Sequence, residues 1–397
     1  MKLSRRKAIE AFGAGVLSPL AAEVMPAAQV PAAPKESKDS PKIAVGMGDG
    51  GAGGAGRGAS AADRSAAARR IKQLGVDHVL SGGPQALPWT EQNLITVMEP
   101  WKAAGVEVSN LMINLSPDIL YGKAGNKRDE DIEKINQSIA AAGKVGLPVV
   151  EYNFYAHRAM EGYFEEIDTA RGGSAWTGFD YELVQTANQQ YQTHPEEKGM
   201  KFRDLPPLPN EGAHNLDEMW GNITYFLKAV IPTAEKANVR LALHPNDPPA
   251  PVSRGSQQIM GSVAGWKKLI SIVNSPSNGI TFDCGVTREM GEDPVEVCRY
   301  FASRDRINHV HFRNVQVIKP YERYREVWID EGMNNMFAIM KELVKNKYRH
   351  LIYPEHPRRL DYDAERGPIP GYPGAGAYAA IAYNVGYARA MLQAATS

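Results

Sequence analysis

Residues 241–249 read LALHPNDPP, an apolar run of strand character that stops at His244 and turns at once on Pro245. Three later runs stop in the same way. GITFDCG (279–285) reaches Asp283, INHVHFRN (307–314) reaches His311, and LIYPEHP (351–357) reaches Glu355. A series of apolar strands, each ending in a metal-donor side chain, is how a (β/α)8 barrel assembles a site at its C-terminal mouth.

Working outward, four further runs complete a set of eight: KIAVGMG (42–48), VDHVLSG (76–82), VEVSNLMI (106–113) and LPVVEYNF (147–154). Amphipathic helical patterns alternate with them, which argues for βα units and a parallel sheet. In the helix before the fourth strand, Ile132, Ile135, Ile139 and Val145 fall on one stripe that ends at Gly146. In the helix before LALHPNDPP, Trp220, Ile223, Phe226, Leu227 and Val230 do the same. The expected fold is α/β, a (β/α)8 TIM barrel spanning 42–397 as a single domain. It carries a long insertion at about 155–210, a length that suits a cover over the substrate. The Gly-rich stretch GMGDGGAGGAGRGAS (46–60) lacks the following acidic residue of a dinucleotide loop and reads as a flexible first βα connection.

Ahead of the barrel, residues 1–41 read as a disordered leader and linker. Arg5 and Arg6 form the pair of a twin-arginine signal, followed by an apolar stretch from Ala8 to Ala22 that Glu10 and Pro19 interrupt. That stretch is too short to span a bilayer, and no other membrane span is expected. The leader implies export by the twin-arginine machinery and a periplasmic or exported protein; finding it only in the cytoplasm with its leader intact would contradict this. The chain has 397 residues, with 45 basic and 45 acidic side chains that cancel. A nucleic-acid or anionic-membrane surface is therefore not expected, and a small sugar or sugar acid fits better as partner. Cys284 and Cys298, the two cysteines, make no disulfide framework. Oligomeric state is left open, a homo-oligomer being allowed.

Two imidazoles with two carboxylates make a mixed nitrogen and oxygen donor set, which suits Mn²⁺, Fe²⁺, Co²⁺ or Zn²⁺ better than Ca²⁺. The metal ligands are expected to be His244, Asp283, His311 and Glu355. Strand alternation puts His309 on the same face as His311, with Arg313 two residues beyond; Arg313 is a candidate to clamp a substrate carboxylate. Tyr152 and Asn153, at the end of the fourth strand, are candidates to bind substrate hydroxyls. Tyr372, in the loop GPIPGYPGAG, is a candidate to project over the site.

At these residues the sequence resembles the D-mannonate dehydratase family of metal-dependent sugar-acid lyases with a xylose isomerase-like barrel. The resemblance is carried by RDEDIEKINQSIAAAGKVGLPVVEYNF, NITYFLKAVIPTAEKANVRLALHPNDPP, NGITFDCG, INHVHFRNV and YPEH. It implies dehydration of D-mannonate to 2-keto-3-deoxy-D-gluconate with Mn²⁺ or Fe²⁺, and it matches His244 and His311 to the family's two histidine ligands. Three positions depart from the pattern. Asp283 stands where the family has a cysteine ligand, with Cys284 one residue later; Glu355 stands where it has aspartate before the last histidine; and Asn246 replaces the first aspartate of His-Pro-Asp-Asp-Pro-Pro. Carboxylate in place of thiolate hardens the site and favours Mn²⁺, Mg²⁺ or Co²⁺.

The expected mechanism has the metal as Lewis acid, a base removing the proton α to the carboxylate and an acid assisting departure of the 3-hydroxyl. His309 and Tyr372 are the expected proton-transfer groups and Arg313 the expected charge stabiliser. The alternatives are a metal-dependent sugar isomerase or epimerase of the same superfamily, and a sugar-binding barrel without catalysis.

Overall fold

Parallel strands buried on both faces need nearly continuous apolar sequence, and the eight runs supply it. In the computed structural model they form β1 (Lys42–Gly46), β2 (His78–Gly82), β3 (Glu107–Ile113), β4 (Val149–Tyr152), β5 (Arg240–Leu243), β6 (Asn278–Asp283), β7 (Ile307–His311) and β8 (Leu351–Tyr353). Each pairs in parallel with its neighbours, and β8 pairs with β1 to close the barrel. The structure describes residues 36–37, 39–47, 61–122, 125–166, 170–186, 200–202, 213–253, 255–358, 360–366 and 378–397. The leader, the Gly-rich loop beyond Met47 and Tyr372 lie outside them.

Among the described residues, the longer helices are α1 (Ala61–Gln73), α2 (Glu91–Ala103), α3 (Asn126–Lys144), α4 (Leu216–Ala237), α5 (Val263–Ile272), α6 (Pro294–Ala302), α7 (Met336–Lys345) and α8 (Tyr378–Thr396). In α3 the expected stripe is buried at Ile132, Ile135 and Ile139, and the chain leaves the helix through Gly146 at φ +79°. For α4 the start is fixed by Asn215, whose side chain accepts from Glu218 N while the Glu218 carboxylate accepts from Asn215 N. Its apolar stripe packs on the outside of β4, with Phe226 ring centroids 5.7 Å from Tyr152 and 6.2 Å from Phe154.

Part of the insertion after β4 is ordered into sheet rather than loop. Strands Tyr163–Glu166, Trp176–Asp180 and Met200–Phe202 join a hairpin, Val315–Lys319 and Arg323–Glu326, that grows from the end of β7. Together they make a five-stranded antiparallel sheet with Arg323–Glu326 paired to Trp176–Asp180. Tyr163 carries this sheet onto the barrel, its hydroxyl donating to Asp247 Oδ1 (2.6 Å) in the loop after β5 and lying 2.8 Å from Tyr324 Oη. The sheet is thus shared between two loops, and its second half was not legible as an insertion because the hairpin follows β7 without a break.

Candidate metal centre

The four strand-end donors converge on His311. Its Nδ1 lies 3.2 Å from His244 Nε2, 3.0 Å from Glu355 Oε1 and 3.8 Å from Asp283 Oδ2. Two donors each about 2.1 Å from one ion stand roughly 3.0–3.5 Å apart; the His244 and Glu355 spacings fall in that range and the Asp283 spacing slightly beyond it. His244 Nδ1 lies 2.7 Å from Pro245 O. A carbonyl can only accept, so Nδ1 carries the proton and Nε2 keeps its lone pair toward His311. Asp283 is positioned by its own turn: Oδ1 accepts from Val286 N (2.8 Å) and caps the short helix Cys284–Glu289. Cys284 points the other way, into the hydrophobic core, so the strand presents the carboxylate, not the thiol, to the mouth.

Beneath these donors lies a buried polar layer. Glu151 accepts from the Thr281 hydroxyl (2.7 Å) and the Asn110 amide (2.9 Å), and its Oε1 is 3.7 Å from His311 Nε2. Both Glu151 oxygens accept these bonds, and Glu151 also forms, with His244 and His311, a group whose donor atoms lie within 4.8 Å of one another. Burial disfavours a charge on Glu151, yet His309, His311 and His244 hold its pKa down to about 2. Sequence reading missed this residue, although a lone glutamate inside VVEYNF was the available signal.

Several sequence expectations are corrected here. Tyr152 does not face substrate: alternation along β4 turns Glu151 inward and sends Tyr152 outward under α4, where its hydroxyl is buried with no hydrogen-bond partner. His309 does face inward, but it sits fully buried beside His311 (ring centroids 4.9 Å), two residues earlier on β7. Burial pushes its pKa down to about 4, leaving it neutral at neutral pH. Asn153 stands half-buried just past β4, with its amide 3.5 Å from Met112 Sδ.

Arg313 is not free to clamp a substrate. Its guanidinium, 2% exposed, meets four carboxylates: Asp283 Oδ2 (3.1 Å) and Glu355 Oε1 (3.2 Å) at Nε, Glu289 (2.7 Å) at one terminal nitrogen and Asp247 (3.5 Å) at the other. Gly285 makes room for it, since a Cβ there would lie 2.5 Å from the guanidinium carbon. Arg313 thereby ties together the two carboxylates of the donor set. Burial opposes a charge on Asp283, but Arg313 and His311 hold its carboxyl well below the usual range. Asn246 is occupied structurally, accepting from Met260 N (2.8 Å).

Facing the donors from the loop after β8 is His356, a residue sequence reading had noted only as part of a motif. Its side chain is one-third exposed, with Nδ1 2.9 Å from Glu326 Oε1 and Nε2 3.5 Å from Glu355 Oε2. The donor set fits a divalent cation on three grounds. Asp283, Glu355 and Glu151 surround His311; against the penalty of burial they push its pKa well above the ordinary value, so the cluster demands positive charge. Glu355 Oε1, 3.0 Å from His311 Nδ1, is buried without a well-formed hydrogen bond. Finally, the mix of two nitrogens and two oxygens matches borderline first-row ions.

Residues 60–397 match the family model for D-mannonate dehydratase (UxuA). A mannonate dehydratase of Streptococcus equi subsp. zooepidemicus is 30% identical over 297 residues, covering 73% of this chain and 80% of that protein. Another, from Streptococcus pneumoniae, is 27% identical over 295 residues, covering 73% and 79%. Among solved structures, mannonate dehydratase from Streptococcus suis serotype2 superposes with a TM-score of 0.69 at 23% identity, over 90% of this chain and 95% of that one. An L-ribulose 3-epimerase gives 0.52 at 14% identity, over 90% and 96%. These two likenesses show the shared (β/α)8 barrel fold.

Proposed function

The chain belongs to the D-mannonate dehydratase family, and on that premise we propose that its barrel mouth dehydrates D-mannonate to 2-keto-3-deoxy-D-gluconate and water, using one divalent ion to which we assign His244, Asp283, His311 and Glu355, His311 being the donor common to the groups Asp283–His311–Glu355 and Glu151–His244–His311. The observation that carries this reading is the gathering of those donors around His311. Mn²⁺ is the preferred ion, with Fe²⁺, Co²⁺, Mg²⁺ and Zn²⁺ as alternatives. When bound, it supplies a Lewis acid beside the substrate's carboxylate and hydroxyl oxygens.

The residues of the chain supply the rest. Elimination requires removal of the proton on the carbon α to the carboxylate, cleavage of the adjacent carbon–oxygen bond with delivery of a proton to the departing hydroxyl, and collapse of the enol to the ketone. His356 is the described side chain placed to move a proton at the mouth, through Nε2, because Nδ1 faces Glu326. Tyr372 remains a candidate second proton-transfer group. To Glu151 we assign the orientation of the His311 ring, to Arg313 the fixing of the Asp283 and Glu355 carboxylates, and to Asn153 the bonding of a substrate hydroxyl.

The test is the product. Purified protein loaded with Mn²⁺ is expected to convert D-mannonate to a product lighter by one water that reacts as a 2-keto-3-deoxy acid. Formation of an isomer that has lost no water and is one mass unit heavier when formed in deuterated water would instead assign the site to isomerisation or epimerisation.

A further inference from the structure

The five-stranded sheet reaches the site through one carboxylate. Along Arg323–Glu326, Tyr324 and Glu326 are two residues apart and both are buried, so both point from the sheet toward the barrel. Tyr324 ends on the Tyr163 hydroxyl and hence on Asp247, whereas Glu326 ends on the loop after β8. There Oε1 lies 2.9 Å from His356 Nδ1, and Oε2 accepts from Arg358 (3.0 Å). Arg358 also donates to the Glu326 carbonyl (3.0 Å) and twice to the His356 carbonyl (3.1 and 2.8 Å). His356 itself is held at φ +48°, a left-handed conformation uncommon for a non-glycine residue. Arg358 binds its carbonyl and Glu326 faces its ring.

We propose that Glu326 is a positioning residue for His356: by keeping the Nδ1 proton, it aims the ring and reserves Nε2 for proton exchange at the mouth. This rests on the reading of His356 as the proton-transfer group. Its consequence is that the second insertion takes part in the reaction, since a hairpin that lost its seat on the barrel would leave His356 without its acceptor. A histidine whose other nitrogen is fixed by a carboxylate can transfer a proton in one direction, while the wrong tautomer cannot.

The test compares E326A, E326Q, H356A and the double variant E326A/H356A in the Mn²⁺-loaded enzyme. E326A is expected to lower kcat about 100-fold, with KM for D-mannonate and Mn²⁺ affinity within threefold of the parent. E326Q, which keeps one oxygen for Nδ1 but turns an amide toward Arg358, is expected to lose about tenfold. The double variant should be no slower than H356A, because the two act as one unit. Independently of turnover, ¹⁵N-histidine spectra of the Mg²⁺-loaded protein should show the neutral His356 ring protonated at Nδ1 in the parent and divided between tautomers in E326A. A kcat within threefold of the parent in both Glu326 variants, multiplicative losses in the double variant, or an unchanged tautomer would overturn the assignment. If the parent fails to dehydrate D-mannonate, the functional reading falls, but the spectra still decide whether Glu326 fixes the ring.

Discussion

Alanine in place of His311 abolishes stoichiometric metal binding: affinity for Mn²⁺ is expected to fall on the order of 100-fold or more, with dehydration lost alongside it. The expectation follows from position. His311 Nδ1 is the atom that His244, Glu355 and Asp283 approach at 3.0 to 3.8 Å, so deleting the ring removes one donor and the point around which the others are spaced. His309 is the internal control. It lies two residues away on the same strand and faces the same interior, but it is fully buried. Glutamine at 309 is therefore expected to change stability while leaving one ion bound per chain by elemental analysis. Full metal content in H311A, or loss in H309Q alone, would show that the donors have been assigned to the wrong level of the barrel.

The second large effect concerns stability. Replacing Arg313 by methionine strands Asp283, Glu289, Glu355 and Asp247 without their common cation, all of them buried. Removing one partner from a buried ion network costs about 3–5 kcal/mol, which for a chain of this length corresponds to a lowering of Tm by about 5 °C. Because two of the four stranded carboxylates are candidate ligands, saturating Mn²⁺ should return part of the loss that is seen with chelator present. Lysine at 313 is expected to recover less than half, since a single ammonium cannot reproduce a planar fork that meets carboxylates at Nε and both terminal nitrogens. Thermal unfolding with and without Mn²⁺ checks this. An R313M protein as stable as its parent, or one whose loss is the same in both conditions, would contradict the role given to Arg313 as the tie between the donor carboxylates.

Much of the architecture was legible in the chain because parallel barrel strands are short, apolar and punctuated. All eight runs became barrel strands, and the stripes of α3 and α4 fell where their periodicity put them. The upper ring of donors was legible for a related reason: a polar residue that ends an apolar strand has few places to go except the mouth. The failures have two physical causes. The first is period two. Tyr152 ends β4 as His244 follows β5, but one residue of alternation turns it outward and makes the unremarked Glu151 the inward group. The second is long-range charge. Arg313 reads locally as a free cation near a site; it is consumed because the short helix after β6 brings back Glu289 and the loop after β5 brings back Asp247. No spacing rule reports such meetings. The same holds for Glu326, which reaches His356 only because hairpin and insertion form one sheet.

The measurement that bears most directly on the central claim is anomalous diffraction at the manganese edge from crystals of the Mn²⁺-loaded protein. One peak per chain is predicted at the C-terminal mouth of the barrel, in contact with His244, Asp283, His311 and Glu355 and not with His309. A peak held by other residues, or full activity in crystals with no peak at the mouth, would contradict the account.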